Sequence, residues 1–420
     1  MPRTGERAAA GLVAVALLAG CTGPAPRLAK SGRTSSAAAP PSSIPPSSTP
    51  PSARPPASSP SAAEPLETGR IDEVRVVRNR FVDGGKRPVR LLGFNHAGGE
   101  YACVEGDGYF DTPDGAAPAE ATVRAMRAWH VTAVRVPLNE QCWLGLPAVP
   151  ARYAGSGYRS AVRTFVARLN DAGIVAVLDL HRSAPADAIP AQQEQMPDRD
   201  HSPDFWRSVA AAFADRPAVV FDLFNEPFPY GETGSRRAWS CWRDGGCTLT
   251  SVNSGRPYVA AGMNELIAAV RSTGARNVVL AGGIHWAEAM TRWLAYRPTD
   301  PLRQLAASFH AYSFNTYCAR VACYNRDLTR LAKAVPLFVG EIGPTLTLGS
   351  DGIDENCPRS AVRGGGFAGS TLDWLDAHGA SWTAWSWNPW PDCWALTSGP
   401  GGEPTPGWGR QIRRRLAAEG

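Results

Sequence analysis

Eight short apolar runs, set apart for the most part by amphipathic stretches, constrain this chain more than any other feature. They are "VRLLGFN" (89–95), "VTAVRVPL" (131–138), "IVAVLDLH" (174–181), "AVVFDLFNE" (218–226), "NVVLAGG" (277–283), "LAASFHAY" (305–312), "PLFVGEIG" (336–343) and "SWTAWSWN" (381–388). Each is nearly continuous in apolar residues, the pattern of strands buried on both faces of a parallel sheet. Between them apolar residues recur at helical spacing, as in "YRSAVRTFVARLNDAG" (158–173) and "SPDFWRSVAAAFADR" (202–216). The second of these opens with Ser202 as an N-cap and Pro203 at the first helical position. Eight strand–helix units close most economically as a barrel, so the predicted fold class is α/β, a (β/α)8 TIM barrel. The helical patterns at 287–298 and 407–418 are the shortest of the set. An N-terminal β-hairpin over 74–89, with Asp83-Gly84 as its turn, is expected to cover the bottom.

The first 68 residues do not share that pattern. Arg3 and Arg7 precede an apolar run from Ala8 to Ala19, shorter than the ~20 residues a membrane-spanning helix needs and suited to a secretory signal. The run ends in "LAGC" (18–21), which resembles a bacterial lipobox. That resemblance implies cleavage before Cys21, lipidation of its thiol, and a chain exported and anchored to the outer face of the cell membrane, or released. Residues 21–68 are dominated by Pro, Ser and Ala. Such a segment buries too little apolar surface to offset ordering entropy, and its prolines favour extended backbone. The expected organisation is a signal peptide over 1–20, a disordered tether over 21–68 and one folded domain over 69–420. Of the net charge of +5, residues up to Thr68 carry +3. The remaining +2, with no basic stripe, predicts no nucleic-acid partner. Lysine occurs only at 30, 86 and 333, none placed to act as a buried Schiff-base amine.

In a parallel barrel all strands finish on one face, so their last residues converge. Here those residues are Arg135, His181, Asn225 with Glu226, His310 with Tyr312, Glu341, and Trp385 with Trp387. Two carboxylates at the ends of the fourth and seventh strands are the equipment of a retaining glycosidase, one as nucleophile and one as acid/base. Arg135 and Tyr312 are the donors expected to keep Glu341 ionised. The charge of Glu341 is expected to raise the proton affinity of Glu226. Asn225 is suited to bind a sugar 2-hydroxyl, and an indole from the eighth strand offers a pyranose ring an apolar floor. Asp179 and Asp222 are expected to bond within the barrel, and His96 to be structural or to contact substrate.

With these motifs in hand, "VRVPL", "LDLH", "FNEP", "SFHAYSF", "VGEIG" and "AWSWNP", the domain resembles glycoside hydrolase family five, the cellulase family. The resemblance implies Glu226 as acid/base and Glu341 as nucleophile. It further implies Arg135, His181, Asn225, His310, Tyr312 and Trp385 around the sugar beside the scissile bond. Trp387 competes with Trp385 for the floor. Trp143, Trp286 and Trp390 are candidates for outer subsites or for packing. The loop after the third strand, "RSAPADAIPAQQEQMPDRD" (182–200), is long.

Without Cys21, eight cysteines remain, an even number in an exported chain. Close spacing suggests Cys241–Cys247 and Cys318–Cys323. The places of the others on strand-end loops suggest Cys103–Cys142 and Cys357–Cys393. No CxxC or HExxH pattern occurs, so no metal or cofactor is expected, and a monomer is expected. The substrate class is a β-linked glycan, with an endo-β-1,4-glucanase-like activity as the leading expectation. A β-mannanase, an exo-β-glycosidase or a transglycosylase would use the same carboxylates. A surface carbohydrate-binding protein without catalysis is disfavoured by the presence of both glutamates.

Overall fold

The computed structural model describes residues 70–419, apart from residues 316, 347, 350–351, 354–365, 391 and 400. Cys21, Cys357 and the segments predicted as signal and tether lie outside the described residues. Eight parallel strands close on themselves: β1 (Leu92–Asn95), β2 (Ala133–Asn139), β3 (Val175–Arg182), β4 (Val219–Asp222), β5 (Val279–Gly282), β6 (Leu305–Ala311), β7 (Leu337–Ile342) and β8 (Ser381–Ala384). Each pairs with its sequence neighbours, and β8 returns to β1. The fold is the predicted (β/α)8 barrel.

The strand pattern has two apolar layers because both faces are dry. Side chains facing the helices, such as Leu178, Phe221 and Val339, join the packing around helices Ser156–Asp171, Ser202–Phe213 and Met263–Arg271. Side chains facing the axis at the N-terminal end, Val175, Val177, Val220, Leu280 and Phe338, form a separate cluster. That cluster is closed from below by Ile71, Val74 and Phe81. The expected hairpin is there a three-stranded antiparallel sheet, Arg75–Val77, Arg80–Val82 and Pro88–Val89. An additional turn at Arg78, which has φ 57°, adds the first strand.

Two elements depart from the reading of the sequence. No helix forms between β5 and β6: residues 287–298 are bridges, turns and irregular chain. His285, Trp286 and Ala287 have φ of 56°, 54° and 60°, a left-handed run that cannot start a right-handed helix. Buried Trp293 then ties the segment to the barrel by donating from Nε1 to the Ala281 carbonyl at 3.0 Å. In addition, β4 ends at Asp222 and β8 at Ala384, so Asn225, Glu226, Trp385 and Trp387 sit on the loops just beyond their strands.

Among the described residues, disulfides join Cys103 to Cys142, Cys241 to Cys247 and Cys318 to Cys323. The first bridges the loops after β1 and β2. Cys393 is also disulfide-bonded.

Candidate active site

Side chains alternate along a strand, so the axis-facing positions of β2, β3 and β4 run Ala133–Arg135, Val175–Val177–Asp179 and Val220–Asp222. The same rows that begin apolar therefore end charged. Arg135, fully buried, is the hub of this upper layer. Its Nε donates to Asp222 Oδ2 at 3.0 Å, Nη1 to Glu341 Oε1 at 2.8 Å and to Asn95 Oδ1 at 3.1 Å, and Nη2 to Asn225 Oδ1 at 2.9 Å. Nη2 also lies 3.1 Å from Asp179 Oδ1. Burial works against the Arg135 charge, yet Asp179, Asp222 and Glu341 hold its pKa above the ordinary value. Burial raises Asp179 to about 7 and Asp222 to about 6, with the Arg135 charge opposing both rises.

A β-bulge brings Glu341 into this layer. On β7, Phe338 faces the axis, so strict alternation would put Gly340 on the axis and Glu341 among the helices. The register instead runs Phe309 with Val339 and then His310 with Glu341, which leaves Gly340 as the extra residue. The neighbouring pairing on β8 carries the same extra residue, Val339 with Trp382 and then Ile342 with Ala384. Only glycine fits there: a Cβ on residue 340 would stand 2.9 Å from His310 Nε2 and 3.3 Å from Arg135 Nε. Glu341 thus turns inward, 4% exposed. It receives Arg135 on one oxygen and the Tyr312 hydroxyl, at 2.5 Å, on the other. Burial, and then the charge of Glu341, hold the Tyr312 pKa far above its usual range, so the phenol keeps the proton it donates.

His310 stands between the two glutamates, with Nδ1 at 2.9 Å from Glu226 Oε1 and 3.7 Å from Glu341 Oε2. A ring nitrogen of His310 and one carboxylate oxygen from each glutamate lie within 4.8 Å of one another. Burial lowers the His310 pKa to about 4, so the ring is neutral near pH 7. Its Nε2 is buried without a hydrogen-bond partner. An orphaned N–H costs more than an orphaned lone pair, which assigns the ring proton to Nδ1, donating to Glu226 Oε1. The acidic proton of Glu226 is thereby left to Oε2.

Burial pushes the Glu226 pKa up to about 8; Arg135 opposes the shift, and the charges of Glu288 and Asp179 add to it. The sequence had assigned this rise to Glu341; in the structure desolvation is the leading cause. Glu226 nevertheless keeps its side chain 20% exposed.

His181 receives its orientation from Asp179, whose Oδ2 lies 2.7 Å from Nδ1. Burial lowers the His181 pKa to about 3, so the ring is neutral. Its Nε2 faces Asn225 Nδ2 at 3.4 Å. The two indoles part company. Trp385 is half-buried and stacks along His181, ring centres 5.6 Å apart. Trp387 is turned away from the cleft: 2% exposed, it stacks on Phe94 at 4.5 Å and meets Trp129 edge-on. Alternation had put both on one face, but the chain has left the strand before either residue.

The remaining aromatic candidates also divide. Trp143 is fully buried against Phe205 and Phe213. Trp286 stacks on Phe228 at 4.7 Å, and its backbone N donates to Pro227 O beside Glu226. Trp390 lies 6.3 Å from Trp385 and donates to Asp111. His96 is a core residue, edge-on to Phe110 and Phe165. Two contributors were missed in the sequence. Asn95, at the end of β1, had a readable signal in its strand-end position. Gln193, which accepts from Asn225 Nδ2 at 3.0 Å, had none, since it lies in an irregular loop.

Residues 82–390 match the family described as Cellulase (glycosyl hydrolase family 5). Endoglucanase A of Evansella cellulosilytica is 22% identical over 267 residues, which is 61% of this chain and 45% of that relative. The chain thus spans less than half of that relative's length. A β-glucanase from Saccharophagus degradans, solved in complex with cellotetraose, is 19% identical, with a TM-score of 0.58, covering 84% of this chain and 95% of that one. A β-mannanase from Streptomyces thermolilacinus, solved with mannohexaose, is 17% identical with a TM-score of 0.54, over 82% and 94% of the two chains. At these identities the structural likeness speaks to the fold.

Proposed function

Because the chain belongs to the cellulase family, glycosyl hydrolase family 5, we propose that it is a retaining hydrolase of β-1,4-linked glucan chains. One observation carries this reading: a carboxylate oxygen from each of Glu226 and Glu341 and a ring nitrogen of His310 all lie within 4.8 Å of one another at the top of the barrel. That spacing suits the ~5 Å of a retaining pair better than the ~6.5–9.5 Å of an inverting one.

In the first step Glu341 attacks the anomeric carbon while Glu226 gives its proton to the leaving oxygen. Arg135 and Tyr312 each hold one oxygen of the nucleophile, which fixes its direction of attack. His310 holds Oε1 of the acid and leaves the other oxygen for the proton transfer. In the second step Glu226 takes a proton from water, and the water displaces Glu341 with a second inversion. Asn225 and His181 bind hydroxyls of the sugar beside the scissile bond, and the Trp385 indole supports its ring. Glucan is favoured over mannan by the likeness to proteins named endoglucanase and β-glucanase. The likeness to β-mannanases supports mannan as the second reading. We also propose that lipidated Cys21 and the Pro-rich segment hold the domain outside the cell, near its membrane.

The test is reducing-end release from a panel of β-glucan, mannan and xylan. Release from the glucan that disappears in Glu341→Gln is expected. Cleavage of mannan alone would transfer the assignment to the second reading, and undiminished activity of Glu341→Gln would end both.

A further inference from the structure

The long loop after β3 sends one side chain back into the site. Gln193 Oε1 accepts from Asn225 Nδ2 at 3.0 Å, while its own Nε2 is committed to the Glu194 carbonyl at 2.9 Å. The amide can therefore present only its oxygen to Asn225. Asn225 is oriented from its other side, since its Oδ1 accepts from Arg135 at 2.9 Å. Its Nδ2 then faces two acceptors, Gln193 Oε1 and His181 Nε2. The second is an acceptor because the opposite ring nitrogen is taken by Asp179.

The segment that delivers Gln193 is anchored on two sides. Glu194 is fully buried and accepts from the Ser251 hydroxyl, from the backbone N of Val252 and from Nδ2 of Asn253. The Gln195 carbonyl accepts from Phe228 N at 2.8 Å, and its Oε1 from Tyr230 N at 3.1 Å. Residues 193–195 are thus stitched to the chain that follows Glu226 and to the hairpin Thr248–Thr250/Pro257–Val259. Gln193 itself stays half-buried. A packing role does not need a polar side chain pinned at both ends with its oxygen turned toward a substrate-binding amide.

Resting on the hydrolase reading above, we propose that Gln193 is a specificity-determining residue that accepts a hydrogen bond from the sugar hydroxyl bound by Asn225, the one next to the reacting carbon. A hydroxyl both donates and accepts. Inserted at this edge, it accepts from Asn225 Nδ2 and donates to Gln193 Oε1, replacing a contact already present in the free protein. The acceptor thereby rewards a sugar with a hydroxyl at that position and orientation, whereas a sugar without it gains no bond from Gln193.

The test pairs the full-length chain and its variants Gln193→Ala and Gln193→Asn with an aryl β-cellobioside and with its analogue lacking the 2-hydroxyl of the reacting sugar. For the hydroxylated substrate, kcat/KM is expected to fall about tenfold in Gln193→Ala, the size of one lost hydrogen bond, and less than about twofold for the deoxy analogue. Gln193→Asn keeps the amide but withdraws it by one methylene, and is expected to show the same selective loss. Equal losses on both substrates would mean that Gln193 only holds the loop, and no loss on either would remove it from recognition; both overturn the proposal. A wild-type chain inactive on both substrates would overturn the glucan reading on which this proposal rests, and the proposal with it.

Discussion

The two ends of the barrel are made from the same strands and built of opposite materials. At the N-terminal end, Val177, Val220 and Phe338 meet on the axis with Phe81 and Val74 below them. One inward position further along β3 and β4, Val177 gives way to Asp179 and Val220 to Asp222, both buried. The lower layer gains free energy from dry packing. The upper layer buries a guanidinium and several carboxylates, an arrangement that contributes little net stability even when well paired. The contrast teaches where the chain keeps its stability and where it keeps its chemistry: the apolar floor supplies the stability that the buried charges above it do not.

This division can be broken or sharpened by substitution. The largest effect is expected for Glu341→Gln, with kcat falling about 10⁴-fold or more, as for other nucleophile removals, and a melting temperature near that of the parent. Three residues earlier on the same strand, Phe338→Ala should do the reverse. It is expected to lower stability by about 3–5 kcal/mol, measured by denaturant unfolding, while the protein that remains folded keeps its specific activity. Arg135→Met crosses the division, because it strands the carboxylates around it. Both kcat and stability should fall, the latter by about 3–5 kcal/mol; loss of activity at parental stability would show that the upper layer does not depend on its hub. Gly340→Ala should cost about 1–3 kcal/mol through overpacking. It should also lower kcat, as the new methyl pushes on His310.

The smallest perturbation is a change of pH. In the proposed mechanism Glu226 must be protonated to act, and its pKa is raised to about 8. Hence the alkaline limb of kcat/KM, which reports the free enzyme, should begin near that value and fall about tenfold per pH unit above it. A limb that begins instead near pH 4–5, the range of an exposed carboxyl, would contradict the buried acid.

Much of this was legible because strands buried on both faces announce themselves as continuous apolar runs. The order of the eight strands and the convergence of Arg135, His181, Asn225, Glu226, His310, Tyr312 and Glu341 followed from that pattern. What escaped depended on departures from regular geometry. The Gly340 bulge decides that Glu341 faces the axis, yet one extra residue in a run of apolar ones leaves no trace in composition. The left-handed turn at His285–Ala287 removed the helix expected over 287–298, one of the two shortest patterns. Trp387 was misplaced because alternation was extended beyond the end of β8. The cause of the Glu226 shift depends on how deeply the residue sits, which no spacing conveys. Gln193 reaches Asn225 from an irregular loop, where no periodicity exists to point at it.

The central claim is that Glu226 and Glu341 act on one glycosidic bond from opposite sides, with Glu341 bonding to the sugar. Proton NMR of the newly released reducing end, recorded before mutarotation, tests it most directly. Cleavage of a β-1,4-glucan oligosaccharide should deliver the β-anomer first, with the α-anomer growing in only at the rate of spontaneous mutarotation. An α-anomer appearing first would mean direct attack by water and would contradict the account.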